Sequence, residues 1–181
     1  MSVSLIAASA APADHIVLTL GEIDLADVVA LLARYDLRLA LVDDGAPIPG
    51  SYWGEPEAGL IGNVVHARRD TPMHSLLHEA CHLIVLLPER RAAIHTDASD
   101  CQREEDATCC LQLLLSDALP GFGIERAYAD MDAWGYTFRL GSARAYAEQD
   151  ADAAWAWLAD AGLVDKNRRL LVPCCGVNQH L

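Results

Sequence analysis

Between Thr71 and Pro88 the chain reads TPMHSLLHEACHLIVLLP. No other stretch constrains the fold as strongly. Asp70, Thr71 and Pro72 carry the chemistry of a helix start, and Pro88 stops the helix. Leu76, Leu77, Ala80, Cys81, Leu83 and Ile84 are uncharged and mostly apolar, so such a helix is expected to be buried nearly all round. Yet His78, Glu79 and His82 interrupt it. Burying ionisable groups without partners is costly, so the fold must supply some.

A metal ion is one such partner. His78 and His82 lie four residues apart and project from the same helical face, where two imidazoles can hold one ion. Glu79 follows the first of them, so its carboxylate reaches a water beside the metal rather than the metal itself. As general base it could take a proton from that water and pass it to a leaving amine. The other reading makes His78 and His82 core histidines bonded to backbone groups, with Glu79 as a solvated neighbour. A third ligand is required of the metal reading. Position 88, six residues after His82, is Pro, so a third histidine at that spacing is excluded. Downstream lie His95, Asp97, Asp100, Glu104, Glu105 and Asp106. Glu104 and Glu105 open the next helix, where one of them can face the motif helix while other acids there merely favour the helix dipole.

Around the motif, strand text precedes helix text. His15 to Leu20 (HIVLTL) and Leu37 to Val42 (LRLALV) read as strands, with an amphipathic helix from Ile23 to Arg34 between them. Pro47 to Gly62 is dense in Pro and Gly, with Tyr52 and Trp53 embedded, and reads as a loop; Leu60 to His66 (LIGNVVH) follows as a further strand, with Gly62 as a bulge. Beyond the motif, a helix is expected from about Gln102 to Leu119, ended by Pro120 and Gly121. Helical text broken near Gly135, Gly141 and Gly162 then fills a C-terminal extension over 121–181. The expected class is α+β, a small N-terminal mixed sheet packed on a helical bundle that carries the motif helix. At 181 residues a single domain is expected, with 1–12 a frayed N-terminus and 173–181 a tail.

Composition narrows function by exclusion. A net charge of −13 repels phosphate backbones, which argues against direct nucleic-acid binding. No run approaches the roughly 20 apolar residues of a membrane span. The six cysteines include two adjacent pairs, Cys109-Cys110 and Cys174-Cys175, a poor disulfide framework. Together with an N-terminus that lacks the Lys or Arg of a secretory signal, this predicts a reduced, cytoplasmic chain.

The pairing of TPMHSLLHEACHLIV with the later EEDATCCLQLLL resembles the ImmA/IrrE-type metallopeptidases of the gluzincin group. The resemblance covers about Leu37 to Pro120. It implies a zincin-like domain with one zinc ion, and a protein or peptide substrate, plausibly a regulator. In that family a helix with Glu, then Ala three residues later, follows the HExxH helix; Glu104, Ala107, Cys110 and Leu111 occupy those positions, which points to Glu104 as the third ligand. The chain departs from the pattern at Thr108, where the family has Asn, and at Cys81, where it has Gly. The family also binds an extended peptide on the strand before the motif, here Leu60 to His66, which an open edge permits by strand addition. Gluzincins often stabilise an oxyanion with a later Tyr or His. Tyr136 is the candidate, but the residues themselves favour an aromatic anchor beside Trp134 and Phe138.

Several residues keep two readings. His74, one turn before His78, could bind substrate, orient a ligand or be a solvated first-turn residue. Asp97 or Asp100 could accept the second N–H of a metal-bound imidazole or serve a turn. Trp155 and Trp157 cannot share one helical face, which leaves one at the surface or at a homodimer interface. Cys174, Cys175 and His180 could cap the metal or form an idle tail. Two functions compete with a metallopeptidase: an interaction module that keeps the fold without catalysis, and a zinc hydrolase of small molecules.

Overall fold

The computed structural model describes residues 4–5, 15–52, 54–96 and 101–171. The protein is α+β, with a three-stranded mixed sheet and, among the described residues, seven helices. None of those helices is long and apolar enough to cross a membrane.

The motif helix, α2 (Met73–Val85), is the centre of the molecule. Every one of its residues is buried, as its apolar text requires. It starts one residue later than expected, with Pro72 in extended conformation at the N-cap. The Thr71 hydroxyl accepts from the Arg68 amide instead of capping the helix.

The sheet flanks one side of α2. Strand β2 (Arg38–Leu41) lies parallel to β4 (Val64–Ala67), and β3 (Gly59–Ile61) lies antiparallel to β4 on its other side. The segment 60–66 is therefore a hairpin with its turn at Gly62 and Asn63, not one strand. Its second arm is the central strand of the sheet. The outer edge of β3 is also taken. The Leu60 amide donates to the Gly50 carbonyl, the Leu60 carbonyl accepts from the Thr96 amide, and the Gly62 amide donates to the Ile94 carbonyl. No free edge remains there for an added peptide.

Before the sheet, α1 (Leu25–Ala33) starts where the Asp24 carboxylate accepts from the Ala26 amide, and buries Val28, Leu31 and Leu32. The strand expected over 15–20 does not form. Its backbone is spent on the ends of helices: Leu18 donates to the Asp130 carboxylate and accepts from the Met73 amide, while Leu20 donates to Thr71. A 3-10 turn over Leu20–Glu22 follows.

On the other side of α2 lies the bundle. After the short α3 (Pro88–Arg91), α4 (Gln102–Ala118) packs along α2 more extensively than any other element. Helix α5 (Ile124–Trp134) ends at Gly135, whose φ of 101° suits glycine. Then come β5 (Tyr136–Thr137), α6 (Ala143–Gln149) capped by the Ser142 hydroxyl, and α7 (Asp152–Asp160). Both α5 and α7 pack on α4, so 121–171 completes the core instead of trailing from it. Strand β1 (Ser4–Leu5) pairs with β5; the rest of the stretch expected to fray, Trp53, and the tail from 172 onward lie outside the described residues.

The Pro- and Gly-rich loop is held by Arg68, whose buried guanidinium bonds Asp70, Glu55 and the Ala46 carbonyl. There Gly50 and Gly59 let two backbones cross. A Cβ on Gly59 would stand 2.2 Å from the Pro49 carbonyl oxygen and 2.4 Å from the Ser51 nitrogen, neither of which can swing aside. Gly59→Ala is therefore expected to lower unfolding stability by about 3 kcal/mol, the upper end for overpacking. Gly45→Ala, with nothing within 4 Å and a φ of +75°, carries only the backbone cost of about 1 kcal/mol. Urea unfolding that ranked Gly45→Ala as the more damaging would refute the crossing.

Candidate metal centre

Helices α2 and α4 each turn one stripe of polar side chains toward the other. From α2 come His78 and His82, with Nε2 atoms 3.1 Å apart. From α4 comes Glu105. Its Oε1 is 3.4 Å from His78 Nε2, and its Oε2 is 3.3 Å from His82 Nε2. These three residues could hold a metal ion.

Glu104 does not join them. It turns to α3, where Arg90 donates to its carboxylate at 2.8 Å. Helical phase explains the choice. At about 100° per residue, Glu105 lies roughly 20° around the α4 axis from Gln112, and Glu104 roughly 80° away. Gln112 is the α4 residue that touches His78, with Oε1 3.0 Å from His78 Nδ1. Thr108 Oγ1 lies 3.4 Å from His82 Nδ1. The sequence marked Thr108 only as a departure from the family pattern and Gln112 not at all, although both are polar side chains in an apolar run and are fully buried. That combination is the signal that could have found them.

The charges fit one another. Burial alone would push the His78 imidazole down, but the Glu105 carboxylate, with Glu79 and the Gln112 hydrogen bond, outweighs it and brings the group up to about 9. Burial and the neighbouring His78 charge hold His82 down at about 4. Against its own burial, Glu105 is brought down to about 2 by the two histidines. Without a metal the cluster is a His78 imidazolium facing a carboxylate, with His82 neutral. Glu79 is buried on α2 between the two histidines in sequence.

An aromatic wall closes the His74 side. Tyr136 is buried, and its ring meets the edges of His74 and His78 at 5.7 and 5.8 Å between centroids. It also packs on Phe138, so the expected anchor role is met. It sits in β5 and not on a helix. Trp134 lies 5.0 Å from His74 and donates from Nε1 to the Glu57 carboxylate at 2.8 Å. Burial raises the Glu57 carboxyl, offset in part by Trp134 and His78. Glu57, from the loop before β3, is a further neighbour that no sequence pattern pointed to.

His74 is not solvated. It is 1% exposed, and burial pushes it down to about 3. His95 bonds Thr96 at the β3 edge, away from the histidine pair, and Asp106 accepts from Gln102. Trp155 is buried, and Trp157 is partly buried against the core. Cys81, Cys109 and Cys110 are buried free thiols. Asp97, Asp100, Cys174, Cys175 and His180 lie outside the described residues.

Comparison of the chain with protein-family models, with curated proteins and with solved structures gives no match.

The depressed His74 group makes stability depend on pH. Above about pH 6.5 the ring is neutral folded and unfolded, and contributes nothing. As the pH falls from about 6.5 toward 3, the unfolded chain takes up a proton that the folded one refuses, so stability is lost by up to about 1.4 kcal/mol per pH unit. His74→Leu keeps an apolar body against Trp134 and Tyr136 and removes this proton. Urea unfolding of metal-free protein between pH 6 and 4 is expected to show a shallower acid loss for His74→Leu. Parallel curves would show that His74 is protonated in the fold.

Proposed function

We propose that this chain is a zinc-dependent hydrolase, a metallopeptidase that cuts a protein or peptide with Glu79 as general base. The observation that carries the reading is the donor triangle. Zinc bonds of about 2.0–2.1 Å at tetrahedral angles separate ligand atoms by about 3.3 Å. His78 Nε2 and His82 Nε2 stand 3.1 Å apart, and the Glu105 carboxylate spans them, Oε1 3.4 Å from the first and Oε2 3.3 Å from the second, with one donor atom from each residue within 4.8 Å of the others. Two imidazoles and one carboxylate also match the donors of catalytic rather than structural zinc.

His78, His82 and Glu105 would hold the ion, which supplies Lewis-acid polarisation of a carbonyl and lowers the pKa of water. Glu79 follows His78 on α2, where its carboxylate can accept a proton from the attacking water and return it to the leaving amine. The walls of α2 and α4, buried on nearly every side, keep the dielectric low and strengthen these charge interactions. The zincin-like resemblance of the HExxH helix agrees with this reading, with Glu105 in place of Glu104. The covered edge of β3 favours a second reading, a zinc hydrolase of small molecules, because an extended peptide finds no free strand there.

About one zinc per chain is expected. His82→Ala and Glu105→Gln should lose it, whereas Glu104→Gln should keep it. Metal analysis that found the opposite order for the two glutamates would restore Glu104 as the ligand. Glu79→Gln should keep zinc and lose hydrolysis by ~100-fold to 10,000-fold, as for a missing general base. Partners trapped on Glu79→Gln and then offered to the intact protein separate the two substrate classes. Undiminished turnover by Glu79→Gln would end the mechanism.

A further inference from the structure

We infer that Gln112 is a positioning residue that sets the tautomer of His78, so that its Nε2 lone pair faces His82 and Glu105. An amide beside a histidine can present either its oxygen or its NH2 group, and the choice decides which ring nitrogen carries the proton. Here a third group makes the choice. Gln112 Nε2 stands 3.0 Å from the His74 carbonyl oxygen, which can only accept. The amide oxygen is thereby left to face His78 Nδ1, 3.0 Å away, and to accept its N–H. A flipped amide would set oxygen against oxygen at His74, in a place where Gln112 is fully buried and no solvent relieves the clash.

A neutral histidine side chain in water prefers its proton on Nε2. The fold inverts that preference at His78 and frees the nitrogen that points into the cluster. A neutral amide suits the task better than a third carboxylate would, since Glu79 and Glu105 already place two negative charges next to His78. It also ties the tautomer to helix packing, because the His74 carbonyl, His78 and Gln112 meet only while α2 and α4 keep their register. The effect on metal affinity rests on the metal-site reading above; the tautomer itself does not.

Long-range proton–nitrogen NMR of the metal-free protein, in solution alkaline enough for a neutral His78, is expected to show the Nδ1–H form. Gln112→Leu should lose that preference, and its zinc affinity by chelator competition should fall about 10-fold to 100-fold, as for a lost partner of a metal-bound histidine. Gln112→Glu keeps an acceptor at Nδ1 and should restore the tautomer, which a role in packing alone would not predict, at a loss of stability from the oxygen it sets against the His74 carbonyl. An Nε2–H tautomer in the unmodified protein would overturn the inference. So would a Gln112→Leu variant that keeps both tautomer and affinity. Should Gln112→Leu fail to fold, the spectra of the unmodified protein and of Gln112→Glu still decide the matter. An Nδ1–H tautomer in a protein that takes up no zinc would instead strike the proposed function and leave the role of Gln112 standing.

Discussion

The contact between α2 and α4 is the constraint on which the rest of the structure depends. A helix buried on all sides here carries three imidazoles and a carboxylate, and a desolvated ionisable group without partners is destabilising by several kcal/mol; His74 stays neutral with both ring nitrogens unbonded, so it is His78 and His82 that the neighbours of α2 must answer. Helix α4 answers with one stripe. Stepping along α2 from His74 to His82 meets Gln112, then Thr108 and Glu105, so the helices run in opposite directions with matched polar seams. The sheet, α5 and α7 then wall that seam with apolar surface. Sliding α4 by one turn would break every one of these contacts at once. The polar seam thus fixes the register that apolar packing alone would leave loosely defined.

How much of this was legible in the sequence follows from what periodicity encodes. The motif helix announced itself, because a run of leucines with Pro at each end admits few other readings. His78 and His82 at four-residue spacing could only share a face. The choice between Glu104 and Glu105 was not legible in the same way. Counted from Thr108 and Gln112, Glu104 stands at helical spacings of four and eight and Glu105 at three and seven, and both sets fall on one side of a helix. The apolar pattern gave no phase either, since α4 is buried from Ala107 to Leu113 without a break. Phase favours Glu105 only once Gln112 is known to face His78, and Arg90 of α3 then takes the Glu104 carboxylate.

The strand expected over His15 to Leu20 failed for a related reason. Alternating β-branched text states that a backbone is extended, but not what it pairs with. Here Leu18 and Leu20 find their partners in Asp130, Thr71 and Met73, so the segment buckles the start of α2 to α5 instead of joining the sheet. Asp130 is fully buried and, beside Arg126 one turn earlier on α5, also receives His15, a long-range bond that no local pattern announces. The hairpin over 59–67 was half legible. Gly62 marked a break, and reading it as a bulge rather than a turn left one strand where there are two.

The metal reading and the folded state need not compete for the same free energy. In a small zinc finger the ligands repel or stay exposed until the ion arrives, so binding and folding are one event. In this chain a proton takes the ion's place. His78, charged beside Glu105, completes an ion pair inside the cluster, while Thr108 and Gln112 occupy the outer nitrogens. The seam is then satisfied with or without metal, and α2 can stay buried in both states. Such a site would be preorganised: both imidazoles and the Glu105 carboxylate already face one another across the seam, and loading would exchange one proton on His78 for a cation. Preorganisation of this kind would keep the donor geometry fixed by helix packing instead of by the ion.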